Sequence, residues 1–380
     1  MKIAAALLKK NHFETKQNEE NMDFTTAQLV LSFGESELIS DPTMFESIKN
    51  KFPNATILMG SSTNAFFSNE VTENAISLTA LAFESATTKA VSVKTTDYAS
   101  SFEAGKFLMK ALEEDHLKLV LIVSVNTVVN GTDLIHGMNK VKKSDALLLG
   151  GYTSDRQITN STLVGLNGVG TTDTIVAVGF YGEKLEVSNG VFGGCDAYGL
   201  ERTITKSAGT IVYEIDGKSA LEVYKKYMGI YAEKLNDSLL NFPIAIQNEN
   251  FESSILRTVI TFDETENSLQ FGGDVPENSK IRFMRTNFNN ILEAASDAAA
   301  ICLTQNAEAP KLGIIISCIG RKAALGNRFD EEIEVVSEVF DNKTVLTGFY
   351  SFGEIAPLVP KAKSEFLNQV ISIIGINERR

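Results

Sequence analysis

Three times along the chain, a continuous apolar run is followed by a helical pattern and then by a second apolar run that reaches a glycine. The first instance joins AQLVLSF (Ala27 to Phe33), DPTMFESIKNKF and ATILMG, reaching Gly60. The second joins LKLVLIVSV (Leu117 to Val125), TDLIHGMNKVKK and DALLLGG, reaching Gly150 and Gly151. The third joins KLGIIISCI (Lys311 to Ile319), DEEIEVVSEVF and KTVLTG, reaching Gly348. Each spans about thirty residues, the size of a strand–helix–strand unit. Apolar runs without alternation predict strands covered on both faces. Asp41 is placed to cap a helix that Pro42 can start, because the missing proline N–H has no intrahelical partner there. Phe45 and Ile48, three apart, share one face of that helix. A strand that ends in glycine can turn sharply or let another segment come close. The three ends are expected to gather on one side of the molecule, where sheets with crossover helices place their ligand sites.

Between the second and third units the pattern shortens. STLVGLNGV, DTIVAVGFYG and KLEVSNGVFGG are β-rich and broken by Asn-Gly and Gly-Gly, which predicts antiparallel hairpins. RTVITFD and NSLQFGGDVPENSKIRFMR continue the strand–turn series. Apolar spacing predicts helices in SSFEAGKFLMKALEED, KSALEVYKKYMGIYAEKL and NFNNILEAASDAAAICLTQN. The start, MKIAAALLKK, reads as a first strand, since its apolar run is too short for a secretory signal and no small-residue cleavage site follows. The fold class is therefore mixed, α/β to α+β. Repeated strand–helix–strand units combine with antiparallel hairpins in a layered sheet-and-helix core of two apposed lobes. A boundary is expected near Asp216-Gly217, dividing the chain into 1–215 and 216–380, with no low-complexity linker between them.

Composition narrows the function. Across 380 residues the chain carries 35 basic and 48 acidic side chains, a formal net charge of −13. Nucleic acid is not expected as a partner on this balance, because counterion release needs a cationic face. No run approaches the roughly 18 apolar residues that span a bilayer, so no membrane insertion is expected. Cys195, Cys302 and Cys318 are odd in number and far apart, which supports neither a disulfide framework nor a zinc knuckle. The cytoplasm is the expected location.

Six short segments, in order, resemble one family. They are GSST (Gly60 to Thr63), GGYTSD (Gly150 to Asp155), EIDGKSALEVY (Glu214 to Tyr224), FGGDVPE (Phe271 to Glu277), SCIGR (Ser317 to Arg321) and GFYSFGEIAP (Gly348 to Pro357). Each alone is weak, but together they make the chain similar to the FIST sensory family over nearly its whole length, with an N-terminal and a C-terminal region. The resemblance implies a sensor that binds a small polar ligand such as an amino acid, and not an enzyme. Such regions occur fused to kinases, cyclases or chemoreceptor parts, or as free-standing chains. Here no output module is evident, so output is expected from a separate signalling protein such as a histidine kinase or a cyclase. A minority of similar proteins bind haem and sense nitric oxide. Haem is the alternative cofactor reading; otherwise no cofactor is expected. A ligand-free protein-interaction scaffold is the other alternative. GSST followed by NAFF, and the non-acidic loop SVNTVVNG, depart from the family pattern and are where a change of specificity is expected.

The candidate contacts each have a structural reading beside the functional one. Arg321 can clamp a carboxylate in a bidentate fork, or form a structural ion pair with an acid such as Glu354. Glu354 can hold a ligand ammonium group, or pair with Arg321 and touch no ligand. Gly60, Ser61, Ser62 and Thr63 make a hydroxyl-rich turn that can bind a carboxylate or cap a neighbouring turn. No GK[ST] follows, so this is not a P-loop. Asp155 can orient a ligand amine or hold its own loop. Tyr350 completes the proposed ligand-binding set. Cys318, flanked by isoleucines, is expected to be buried and inert. His12, His116 and His136 lie outside the matching segments, no G-x-S-x-G elbow is present, and no metal spacing appears.

Overall fold

A computed structural model describes every residue except 11, 19–20, 68–69, 157–160, 250, 252, 306–307, 360–361 and 380. All three expected units form. Leu29–Gly34, Pro42–Lys51 and Thr56–Ser61 make the first, and Leu117–Ser124, Gly131–Val141 and Leu147–Tyr152 the second. The third runs from Leu312–Cys318 through helices Ile319–Leu325 and Glu331–Val339 to Val345–Ser351. In each, the two strands pair in parallel. Local chemistry sets the helix starts: Asp41 accepts a 2.8 Å hydrogen bond from the Thr43 amide, one turn ahead of buried Met44 and Ile48.

The units share a further order. A return strand lies antiparallel to the first strand of each unit: Ile76–Ala82, Thr174–Tyr181 and Ile371–Glu378 respectively. Outside it lies a strand from earlier in the chain, Lys2–Lys9, Thr87–Lys94 or Leu185–Phe192. Between its second strand and its return strand, each unit lends a short segment to another. Ala65–Phe67 of the first pairs with the third, Val164–Leu166 of the second with the first, and Gly353–Ala356 of the third with the second. This closed three-way exchange brings the carboxyl ends of the parallel strands together at the centre of the body.

Unbroken apolar runs feed two cores from one strand, because successive side chains point to opposite faces. Val30, Ile57 and Ala80 pack under the first helix with Ile48 and Phe52. Leu31, Phe33, Leu58 and Leu81 face the main core. In the third unit, Ile315 and Ile373 join Ala295, Ala298, Ile333 and Val336 beneath the helices, whereas Ile314, Ile316 and Ile374 face the main core. Each fully buried aliphatic side chain contributes about 1.5–3 kcal/mol.

Three local expectations are corrected. The strands do not stop at their glycines: Leu147–Tyr152 runs through Gly150, and Val345–Ser351 through Gly348. At both, φ is strongly positive (152° and 147°), and a Cβ would meet Ile122 O at 1.9 Å or Ile315 O at 1.8 Å. The requirement for glycine is thus the close approach of the parallel neighbour. Ile319, the last residue of the apolar run KLGIIISCI, lies past its strand and with Gly320 opens the helix Ile319–Leu325. KLEVSNGVFGG forms no local hairpin: Leu185–Phe192 pairs with Ile371–Glu378 near the other end of the chain.

Between Leu185–Phe192 and the helix Phe288–Thr304, a smaller lobe is built on one antiparallel sheet. Its strands run in the order Ile255–Arg257, Ile244–Gln247, Lys280–Thr286, Cys195–Ala208, Ile211–Ile215, Ser268–Phe271 and Val259–Asp263, and the helix Ala220–Met228 packs on it. Asp216 and Gly217 turn the chain between Ile211–Ile215 and Lys218–Ser219 within this lobe. The fold is thus mixed and layered, with two apposed lobes. Among the described residues, no helix is long and apolar enough to cross a membrane.

Candidate functional site

The strand ends do gather, and they gather inside the protein. Ser61, Ser62, Thr63, Tyr350 and Glu354 are buried, as are Gly60, Asp155 and Arg321. The hydroxyls of the Gly60–Thr63 turn tie the units to one another. Ser62 Oγ accepts from the Tyr350 amide at 3.0 Å, Ser61 Oγ accepts from the Leu163 amide at 2.9 Å, and the Thr63 amide donates to Ser154 Oγ at 3.2 Å. The Ser154 amide returns to Ser61 O at 3.2 Å. Tyr350 rests edge-on against Phe66, with ring centroids 4.6 Å apart, and its hydroxyl donates to Phe329 O at 3.2 Å. Asp155 accepts from the Ser36 hydroxyl.

Arg321 and Glu354 do not pair with each other. The acid on Arg321 is Glu332, 2.6 Å from Nη2 and 2.7 Å from Nε. The same guanidinium donates to Gly193 O and, at 2.8 Å, to Ile291 O, while Glu332 also accepts from Ser317 Oγ at 2.6 Å. Sequence spacing favoured Glu354 because it follows a strand end. The helix Glu331–Val339 instead carries Glu332 to Arg321, which sits in the helix Ile319–Leu325 just past the strand Leu312–Cys318. Glu354 accepts from Ser351 Oγ and, at 3.4 Å, from the Val370 amide. Complete burial pushes its carboxyl up to about 8, against the hydrogen bonds and the nearby Arg321 charge that favour ionisation. Burial likewise raises the Cys318 thiol well above its usual range.

Lys322, which the sequence reading passed over, stands at the edge of this hub. Its Nζ donates to Thr63 Oγ1 at 3.1 Å and to Asn64 Oδ1, and lies 5.0 Å and 5.2 Å from the ring centroids of Phe329 and Tyr350. Desolvation lowers its pKa. The signal was available in the adjacent Arg-Lys pair that opens a helix.

An open cleft lies next to the hub, between the body and the smaller lobe, with a volume of about 540 Å³. One wall is the loop Asn126–Gly131, at the carboxyl end of Leu117–Ser124 and leading into Gly131–Val141. Tyr152 and Phe352 form the next wall, and Phe271, Gly272 and Gly273 face them from the smaller lobe with Gln270 and Thr210. The walls are positioned by specific bonds. Tyr152 Oη donates to Val129 O at 2.6 Å, and the Phe352 amide to Tyr152 O at 3.3 Å. Asn130 caps its helix by accepting from the Asp133 amide at 3.0 Å, and its Nδ2 donates to Asp274 Oδ1 at 3.0 Å, joining body to lobe.

The cleft has groups of both signs near it: Asp274 and Asp133 act on Tyr152, and two features favour an anion. It lies at the amino end of an 11-residue helix, where the peptide dipoles attract anions. Behind Gly273 the fully buried Arg257 donates to Asp274 O at 3.1 Å and Phe366 O at 2.7 Å, while its Nη2 has no hydrogen-bond partner. Burial draws its pKa down to about 10. A side chain at Gly273 would have its Cβ 2.8 Å from Arg257 Nε, so glycine is what lets wall and guanidinium approach.

None of the eight residues nominated from sequence lines this cleft, although three of the six family-like segments reach it, through Tyr152, Phe271 to Gly273, and Phe352. Among the described residues no histidine lines it either. His136 Nε2 is 3.4 Å from Glu365, His116 is exposed beside Glu183, and His12 sits on an edge strand. The described residues therefore offer no fit for a histidine-ligated haem in the cleft.

Comparison with known families adds two matches. A model of the FIST N domain matches residues 28–218, and one of the FIST C domain matches residues 220–357. No curated protein matches the chain.

Proposed function

The chain belongs to the FIST family, whose domains are signal-transduction sensors, and from that premise we propose that it binds a small polar ligand, an amino acid, in the cleft between body and lobe. The observation that carries this reading is the convergence of three family segments on one cleft at the carboxyl ends of parallel strands. Asn126 Nδ2, the Gln270 amide and the hydroxyls of Thr127 and Thr210 supply hydrogen bonds. The glycine backbones allow close approach, and the rings of Tyr152, Phe271 and Phe352 hold an apolar side chain. The helix start and Arg257 favour the carboxylate end.

Because the cleft has one wall on each lobe, occupancy favours one arrangement of the two. The buried hub is then the support behind the cleft. Arg321, Glu354, Tyr350, Asp155 and the Gly60–Thr63 turn hold the strand ends from which Tyr152 and Phe352 project. A separate signalling protein in the cytoplasm, such as a histidine kinase or a cyclase, reads the change. The free thiols Cys195, Cys302 and Cys318 suit that reducing compartment.

Calorimetric titration with a panel of amino acids tests the reading. Selective binding that Asn126→Leu weakens about tenfold or more supports it. No binding of any amino acid at about millimolar concentration removes the ligand assignment.

A further inference from the structure

The smaller lobe holds a second concave site, of about 630 Å³, which shares no lining residue with the inter-lobe cleft. Its walls include the rings of Tyr198, Tyr227, Tyr231 and Phe242, with Asp196 and Arg285 on paired positions of neighbouring strands. The rings are held in place. Tyr227 stacks on Phe283 with centroids 4.0 Å apart and accepts from Arg202 Nε at 2.9 Å, and Tyr231 lies 5.1 Å from Phe242.

The charges at this site are not balanced in what they leave free. Asp196 is committed, one oxygen accepting from Asn290 Nδ2 at 2.6 Å and the other from Asn287 Nδ2 at 2.9 Å. Arg285 lies over the Tyr231 ring at 5.3 Å and uses Nη2 to reach the Tyr231 hydroxyl at 3.0 Å. It makes no ion pair among the described residues, and the rest of its donor fork is open. The Tyr198 hydroxyl is buried and has no hydrogen-bond partner. An unpaired buried hydroxyl is costly, and Tyr198 is within electrostatic reach of Arg285. Flat apolar faces, a cation with unused donors and an unbonded hydroxyl complement a planar ring that carries an anion. An organic cation would meet Arg285 and find Asp196, the carboxylate among the lining residues, already engaged.

We propose that this pocket is a second binding site, for a small planar aromatic acid whose carboxylate pairs with Arg285 and the Tyr198 hydroxyl while its ring lies against Tyr231 and Phe242. The chain has no tryptophan, so an indole probe is read without protein background. Indole-3-acetate is titrated by fluorescence against the full chain, with indole-3-acetamide and tryptamine as the neutral and cationic analogues. The acid is expected to bind about tenfold more tightly than the amide, the scale of one charge-assisted contact. Arg285→Gln is expected to reduce the acid to the affinity of the amide, and Tyr198→Phe to weaken both severalfold. Arg285 is exposed, and far-ultraviolet circular dichroism confirms that the variant is folded. Asn126→Leu, in the other cleft, is expected to change nothing. Four results would overturn the proposal: tryptamine binding at least as tightly as the acid, no effect of Arg285→Gln, loss of binding in Asn126→Leu, or no binding of the acid at about millimolar concentration.

Discussion

The buried hub and the open cleft lie side by side at the same strand ends, and they use polar groups in opposite ways. In the hub, hydroxyls are consumed in joining three units, and a guanidinium and two carboxylates in fastening the third. Ser62 holds Tyr350, Ser154 holds Thr63, and Glu332 holds Arg321. In the cleft, charged side chains stand back, and the walls are glycine backbone, amide groups and aromatic rings. A three-way exchange of strands brings many backbone and side-chain polar groups into a dry centre, and each must find a partner there. A ligand site between lobes needs the reverse, groups with capacity to spare. Charge and hydroxyl content alone therefore point to the closure of the fold, and spare capacity points to the ligand.

That contrast is broken most severely at Arg321. Arg321→Met leaves the Glu332 carboxylate buried without its ion pair, and urea unfolding should show a loss of about 3–5 kcal/mol. A loss under about 1 kcal/mol would mean that the hub is not what closes the body. Glu354 gives the next effect, through pH. Its folded pKa of about 8 exceeds the ordinary 4.5. Below both values the group is neutral folded and unfolded, and pH has no leverage through it. Between them the unfolded chain releases a proton that the folded one keeps, so stability falls as pH rises through this window, by at most about 1.4 kcal/mol per unit. Above about 8 the loss is complete and constant. Glu354→Gln should flatten the slope between those values, and an unchanged slope would show that Glu354 is ionised in the fold.

On the cleft side, Asn130→Ala removes a helix cap and the bond to Asp274, for a loss of about 1–2 kcal/mol in thermal or urea unfolding. It should also weaken ligand binding, since the loop is one wall. The smallest effect is expected at Gln270, which is exposed and makes no hydrogen bond through its side chain among the described residues. Gln270→Ala should leave stability within about 0.5 kcal/mol while lowering ligand affinity. A large loss of stability there would erase the distinction between the two regions.

Much of the fold was legible in the sequence because its strands are apolar on both faces. AQLVLSF, LKLVLIVSV and KLGIIISCI each have to be covered twice, and the helices that follow them supply one cover. The exchange among units was not legible. Ala65–Phe67, Val164–Leu166 and Gly353–Ala356 are three or four residues long and carry no pattern of their own, so their partners are set by tertiary packing. The same holds for Leu185–Phe192, whose Asn-Gly imitates a hairpin turn although its partner is Ile371–Glu378. Of the candidate sites, the residues nominated from sequence fall in the buried hub, while neighbours of theirs in the same segments line the cleft. In GFYSFGEI the polar Tyr350 and Glu354 stood out, yet Phe352 between them is the residue at the cleft. Arg321 drew attention by its charge, but the acid that meets it lies 11 residues on, in the expected helix DEEIEVVSEVF, and the short helix Ile319–Leu325 that turns Arg321 toward it was not revealed by spacing. Arg257, buried behind Gly273, stood in the sequence only as the first residue of the β-rich run RTVITFD, and in the fold it ends a short strand.

One measurement tests the division of labour directly: calorimetric titration of the tightest-binding amino acid into the wild-type chain, Asn126→Leu and Tyr350→Phe. Tyr350→Phe removes a hub hydrogen bond and keeps the ring against Phe66, so its fold should survive. The account predicts that Asn126→Leu loses affinity by about tenfold or more and that Tyr350→Phe binds as the wild type does. Unchanged binding in Asn126→Leu, with affinity lost in a folded Tyr350→Phe, would place the ligand in the hub and contradict it.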